Sequence, residues 1–138
     1  MNAAGRPPGQ AADSRLLKGQ RGLRRVLNAT RYSIDGLRAA WQHEDAFRQE
    51  LVLAMIMIPV AVLLPVARIE KLLLVGVVVL VLIVELLNTG IEAAVDRDSL
   101  EINPLGKRAK DYASAAVMLS LLLAGGTWAS ILIAHFMP

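Results

Sequence analysis

Between Lys71 and Asp96 the chain reads LLLVGVVVLVLIVELLNTGIEAAV (residues 72–95), and this stretch decides the fold. Its 24 residues are enough to cross the roughly 30 Å hydrocarbon core of a bilayer as a helix, and positions 72–84 are apolar or Gly without a break. Two further apolar blocks flank it. Residues 51–67 carry no charge and include Pro59 and Pro65, which membrane helices tolerate better than soluble ones. Residues 112–137 carry no acid, Lys or Arg, only His135 near the end. The expected fold is an all-α membrane protein. An N-terminal interfacial amphipathic helix (residues 14–50) precedes three transmembrane helices at about 51–67, 72–95 and 112–137, with a loop over 96–111. Residues 1–13, with Pro7, Pro8 and a mixture of Gly, Ala, Gln and Asn, read as a flexible leader. They are not a signal peptide, since no apolar core follows a basic start.

Composition agrees with this organisation. Of 138 residues, 55% are hydrophobic, and ten glycines bring the share to about 62%, against roughly 45–50% on a similar count for soluble domains. Mean hydropathy is +0.49, yet 15 basic and 12 acidic residues are present, so charge and apolar character must be segregated along the chain. Such a balance excludes a disordered tail and a collagen-like fibre. The absence of cysteine excludes a disulfide-stapled domain, thiol nucleophiles and thiolate zinc sites. His43 and His135 lie far apart, so any metal must be held by oxygen, which favours magnesium or calcium.

The basic residues orient the chain. Nine of 15 precede the first span, Arg68 and Lys71 lie between spans one and two, and Arg97, Lys107, Arg108 and Lys110 lie between spans two and three. The N-terminus and the second loop are therefore expected on the cytoplasmic side. The net charge of +3 and pI of 9.7 follow from this topology and need no nucleic-acid partner. Within 14–50, Leu16, Leu23, Val26 and Leu27 share one side, as do Leu37, Trp41 and the stem of Arg48, with Gly36 a candidate break between the two pieces. A basic helix of this kind before a span reads as interfacial. In the third span Ala116, Ser120 and Ala124, with Gly125 and Gly126 nearby, suit close helix packing.

The second span ends with acids that packing alone does not require. On a helical projection Asn88, Glu92 and Asp96 all fall within about 60° of Glu85, and Glu85 lies about 16 Å along the axis from Asp96. A carboxylate at that depth costs roughly 2.5–3.5 kcal/mol on insertion scales. The stripe is open to three readings: hydrogen-bonding glue between helices, an ion pathway of a proton-coupled transporter, or a metal–phosphate site. Glu44, Asp45 and Glu50, expected at the end of the interfacial helix, and Lys110 and Asp111, before span three, could complete such a site from the cytoplasmic side. Magnesium takes one or two carboxylates plus phosphate oxygens and water. A desolvated carboxylate is a competent base for an alcohol, and Lys or Arg can neutralise phosphate charge. There is no G-x-x-x-x-G-K-[ST] loop, so ATP would have to be handled without a standard phosphate-binding fold.

ELLNTGIEAAVDR (85–97), with GLRAAW (36–41), AFRQE (46–50), AKD (109–111) and SAAV (114–117), closely resembles the prokaryotic diacylglycerol kinases, small three-span membrane enzymes. The resemblance runs from about Arg24 to the C-terminus, and residues 1–22 have no counterpart in it. It implies ATP-dependent phosphorylation of diacylglycerol to phosphatidic acid in the bacterial inner membrane, with magnesium as cofactor. The partners implied are the lipid, MgATP and further copies of the chain in a homotrimer with shared active sites. Residue by residue, Glu85 matches the catalytic base, Glu92 and Glu44 the magnesium-holding acids, and Asn88 a support on the same face. Arg25, Tyr32, Glu101, Ile102, Asn103, Lys110 and Asp111 match nucleotide positions, together with Glu44 and Glu92. Arg25, Tyr32, Ser33, Arg38, Trp41, Arg48, Gln49, Glu50, Glu85 and Ser114 match lipid-substrate positions. Undecaprenol kinase shares this fold and these carboxylates, and GLRAAW, AFRQE and SAAV favour the diacylglycerol branch. Two departures stand out: the segment Glu101-Ile102-Asn103-Pro104, where relatives often have an aromatic and a His, and Gly90 in place of Ala or Ser.

Overall fold

A computed structural model of the chain describes residues 22–98 and 103–137. The described residues form helices only: α1 (Leu23–His43), α2 (Asp45–Leu63), α3 (Arg68–Asp98) and α4 (Pro104–Phe136). The expected leader and the segment up to residue 21, including Leu16, lie outside the described residues. The chain divides into two compact units, Met1–Ala39 and Ala40–Pro138.

Most of α1 belongs to the first unit. Leu27, Ile34 and Leu37 recur at helical spacing and are all exposed, an apolar stripe on an otherwise charged helix. Thr30 and Ser33 donate their hydroxyls to the carbonyls of Val26 and Ala29, one turn back, at 3.0 and 2.9 Å. Gly36 does not break the helix as expected. One glycine costs about 1 kcal/mol, too little to stop a helix whose flanking turns are intact.

The break falls instead at Glu44, whose φ of −116° and ψ of 110° are extended. Asp45 and Glu50 therefore do not end the interfacial helix, as expected from the sequence, but open the first long helix, α2. Arg48 holds the corner. Its Nη1 donates to the carbonyls of Trp41 (3.0 Å) and Gln42 (3.2 Å), and its Nη2 pairs with Asp45. The last carbonyls of a helix have no partner within it and carry partial negative charge, so a guanidinium there satisfies both needs.

In the second unit α3 is the helix on which the others pack, more extensively with α4 than with α2. The buried positions form narrow seams. On α2 they are Phe47, Ala54 and Ala61, on α3 Leu74, Val78, Val81 and Glu85, and on α4 Ala113, Ser120 and Ala124. Seven-residue and alternating four–three spacings are those of nearly parallel or antiparallel helices whose ridges interdigitate. Small residues on α2 and α4 bring the backbones close to the branched side chains of α3. Of the expected small row on α4, Ser120 and Ala124 are buried while Ala116 is exposed, because the seam steps seven residues from Ser120 to Ala113.

Pro59 lies inside α2, whereas Pro65 lies beyond its end in the connector to α3. The connector is capped from both sides: Glu70 accepts from the Ala67 amide at 2.7 Å, and Lys71 donates to the Val62 carbonyl at 2.6 Å. Trp128 on α4 donates its indole N–H to the Leu74 carbonyl at 3.2 Å, fixing the same end of the bundle. At the other end the expected loop over 96–111 is mostly helix, since α3 runs to Asp98 and α4 starts at Pro104. Charges there mark where the chain leaves apolar surroundings, not where it stops being helical. Asn103 caps α4 by accepting from the Leu105 amide at 2.9 Å, with Pro104 at the first helical position.

Helices α2, α3 and α4 are each long and apolar enough to cross a membrane. Only 17% of the apolar window of α2 and of α4, and 28% of that of α3, is buried within the chain. Surface of this character belongs in lipid or against other membrane helices, and the protein is a membrane protein.

Candidate active site

The seam of α3 changes character along its length. Positions 74, 78 and 81 carry Leu, Val and Val, and the same rhythm then reaches positions 85, 88 and 92, which carry Glu, Asn and Glu. The acid stripe is thus the continuation of the helix-packing face and not a solvated flank. Glu85 is only 4% exposed, and Asn88 and Glu92 are half-buried.

Around Glu85 the fold gathers further carboxylates. Glu85 interacts electrostatically with Glu92 and Glu44, and Glu50 on α2 interacts with Glu85. Asn88 donates from Nδ2 to Glu92 Oε1 at 3.3 Å, which leaves its own buried Oδ1 without a partner. Glu50 Oε2 is likewise buried and unpartnered. Glu44, at the N-cap position of α2, does not cap that helix with its side chain, so its carboxylate is not engaged there. Among the described residues none of these four acids takes part in an ion pair. Like charges assembled without a direct ion pair in a half-apolar site destabilise a fold, so the arrangement is one that a cationic or proton-donating ligand would relieve.

Glu50 also lines a cavity of about 230 Å³, otherwise walled by apolar side chains that include Leu53 and Met57 of α2, Val78 and Val81 of α3, and Leu121 of α4. An apolar chamber with one acid on its wall, next to a second buried acid, suits an amphiphile carrying a hydroxyl.

One lysine reaches the acids from α4. Lys110 Nζ lies 2.9 and 3.2 Å from the two oxygens of Asp96, tying the start of α4 to the end of α3, and its charge also interacts with Glu92. Lys107 pairs with Asp111 at 2.7 Å, one turn along α4.

The structure thus brings Glu44, Glu50, Glu85, Asn88, Glu92 and Lys110 into one electrostatic neighbourhood. Trp41 and Gln49 are exposed, Arg48 is engaged by the end of α1, and Ser114 is exposed on α4. Arg25, Tyr32, Ser33 and Arg38 are exposed on α1 in the first unit, where Arg38 makes a loose 3.8 Å pair with Asp35. Asn103 serves as the cap of α4, and Glu101 and Ile102 lie outside the described residues. Glu50, expected both as an acid that could complete the stripe's site and as a lipid-substrate position, is the one whose charge interacts with Glu85 from α2. Glu50 is three residues after Phe47 and four before Ala54, and that spacing becomes a signal only once this face of α2 is known to pack. Asp96, the holder of Lys110, was on the stripe but not among the candidates.

Among the described residues no three His, Asp or Glu side chains are grouped so as to hold a metal unaided. Magnesium does not need three, since one or two carboxylates suffice when phosphate oxygens and water complete the shell. Glu92, bonded to Asn88 whose own oxygen is orphaned, and Glu44, which like Glu92 interacts with Glu85, supply hard oxygen donors of the kind such an ion takes.

Packed helices long and apolar enough to span a membrane, with a carboxylate buried on their seam, define a small integral membrane protein with a polar site between its helices. Residues 31–132 match the family model described as prokaryotic diacylglycerol kinase. A diacylglycerol kinase of Pseudomonas aeruginosa is 55% identical over 116 residues, covering 84% of this chain and 94% of that protein. That of Escherichia coli K12 is 47% identical over 115 residues, 83% of this chain and 94% of its own length. One from Haemophilus influenzae is 43% identical over 111 residues, 80% and 94% respectively. The chain belongs to the prokaryotic diacylglycerol kinase family and is a lipid kinase. Membership sets aside the transporter reading of the acid stripe.

Proposed function

We propose that the protein transfers the γ-phosphoryl group of ATP to the free hydroxyl of diacylglycerol, yielding phosphatidic acid at the cytoplasmic face of the bacterial inner membrane. The observation that carries the mechanism is Glu85, a carboxylate 4% exposed on an apolar packing seam, with no ion-pair partner among the described residues. Glu85 accepts the hydroxyl proton as the lipid oxygen forms its bond to the γ-phosphorus. The bond from that phosphorus to the β–γ bridging oxygen breaks, and ADP leaves. A carboxylate deprived of water is the stronger base, and a positioned base contributes about 10²–10⁴ in rate. Glu44 and Glu92 hold magnesium, which when bound neutralises charge on the phosphates. Asn88 orients Glu92 through its amide.

Lys110 and Asp111, with Arg25, Tyr32, Glu101, Ile102 and Asn103, serve the nucleotide. Ser33, Arg38, Trp41, Arg48, Gln49, Glu50 and Ser114 serve the lipid, a reading that the apolar lining of the cavity beside Glu50 supports. The N-terminus lies in the cytoplasm, α1 rests at the interface, and three copies assemble with shared sites. The apolar surface that α2 and α4 leave uncovered supports such an assembly. The test is purified protein in mixed micelles with radiolabelled ATP and equal amounts of diacylglycerol and undecaprenol. Label is expected in phosphatidic acid. Label in undecaprenyl phosphate instead, or in neither lipid, overturns the proposal.

A further inference from the structure

Gly106, the third residue of α4 after its Asn103 cap, approaches α3 more closely than a side chain would allow. A Cβ built at Gly106 would stand 2.9 Å from Cγ1 of Val95 on α3. Two carbons rest at about 3.5–4.0 Å, so a methyl group there drives the first turn of α4 away from α3 by about 0.6–1 Å. Val95 cannot easily turn aside, because a β-branched side chain within a helix holds one strongly preferred rotamer. The other helical glycines differ: a Cβ at Gly36, Gly76, Gly90, Gly125 or Gly126 would meet nothing within 4 Å. Helix propensity disfavours glycine against alanine at such a position, so packing, and not local preference, accounts for Gly106.

The contact is one rung of a short ladder. Val95 is adjacent to Asp96, and Gly106 is one turn before Lys110, whose ammonium lies 2.9 and 3.2 Å from the two Asp96 oxygens and interacts with Glu92. Separating α3 from α4 at the first rung therefore moves the ammonium at the second.

We propose that Gly106 is a positioning residue for the nucleotide: its missing side chain sets the α3–α4 spacing at which Asp96 holds Lys110 toward the nucleotide phosphates beside Glu92. This rests on the reading of Lys110 as a nucleotide residue. The experiment compares Gly106→Ala, Val95→Ala, the double variant and Lys110→Met, measuring KM for ATP, KM for diacylglycerol, kcat, and ATP binding without lipid. Gly106→Ala is expected to weaken ATP binding and raise its KM about three- to tenfold, the range of a partly lost charge-assisted contact. The lipid KM and the kcat at saturating ATP should stay within about twofold, since neither depends on that contact. Val95→Ala in the double variant removes the opposing methyl and is expected to restore ATP binding. Should Gly106→Ala fail to fold, Val95→Ile, which keeps the β-branch and adds a methyl group, presses on the same contact from the α3 side and is expected to raise the same constant. Equal damage to all three kinetic constants, or no rescue in the double variant, overturns the inference. If Lys110→Met raises the ATP KM while Gly106→Ala and Val95→Ile do not, the Gly106 inference alone falls. If Lys110→Met leaves the ATP KM unchanged, the reading of Lys110 falls and this inference with it.

Discussion

Replacing Glu85 should make the protein more stable and abolish its activity. The side chain is 4% exposed, follows Leu74, Val78 and Val81 on the same seam, and has Glu44, Glu50 and Glu92 as electrostatic neighbours without a cation paired to any of them among the described residues. Exchanging a buried ion pair for apolar residues of similar volume is often neutral or stabilising by about 1–4 kcal/mol, and a buried acid with no such partner has less attraction to lose. Leucine at position 85 would extend the apolar seam by one step and relieve the repulsion. Glu85→Leu is therefore expected to unfold later than the parent, by about 1–4 kcal/mol, in reversible SDS titration of detergent micelles followed by circular dichroism. Glu85→Gln keeps the shape, removes the base, and should be at least as stable while losing about 10²–10⁴ in kcat with MgATP binding retained. An earlier unfolding midpoint for Glu85→Leu would show that the acid is structural glue between helices, and the argument from its burial would collapse. Turnover retained in Glu85→Gln would remove it as the base.

Three further outcomes follow from the same geometry. Glu92→Gln should shift the magnesium titration of activity upward by about tenfold or more and weaken nucleotide binding in parallel; an unchanged titration argues against a ligand role. Asn103→Ala should lower stability by about 1 kcal/mol through loss of the α4 cap, and Asn103→Asp should recover it because the carboxylate still accepts from the Leu105 amide. A loss of ATP affinity common to both variants would then report a contact made by the amide itself. Arg48→Lys keeps the charge but not the fork that spans the Trp41 and Gln42 carbonyls and Asp45. It should cost less than about 1 kcal/mol overall, because the group is partly exposed, yet speed hydrogen exchange at the amides around Glu44.

Much of the candidate site was legible in one dimension, and the reason differs from residue to residue. Glu85, Asn88 and Glu92 could be placed together because they lie on one helix, where 100° per residue fixes their relative direction without knowledge of any partner. Glu50 could not be matched to Glu85 in this way, since its direction depends on which face of α2 meets α3. Asn103 illustrates the converse, a residue assigned to the nucleotide by resemblance whose side-chain oxygen in the structure caps a helix. The expected loop over 96–111 and the expected break at Gly36 failed for one reason. Polarity and glycine report where a chain leaves lipid or loses propensity, and neither is enough to end a helix whose hydrogen bonds are local.

The opening stretch, residues 72–95, already determined a membrane-spanning helix with acids on one side, because length, apolarity and helical phase are properties of a single segment. It could not determine that this side is the packing seam. That was decided when α2 and α4, with Ala54, Ala61, Ser120 and Ala124, closed on Leu74, Val78 and Val81 and carried Glu85 out of contact with solvent. Burial, the unpaired oxygens of Glu50 and Asn88, and the close approach at Gly106 are relations between helices, and they exist only once the helices have packed.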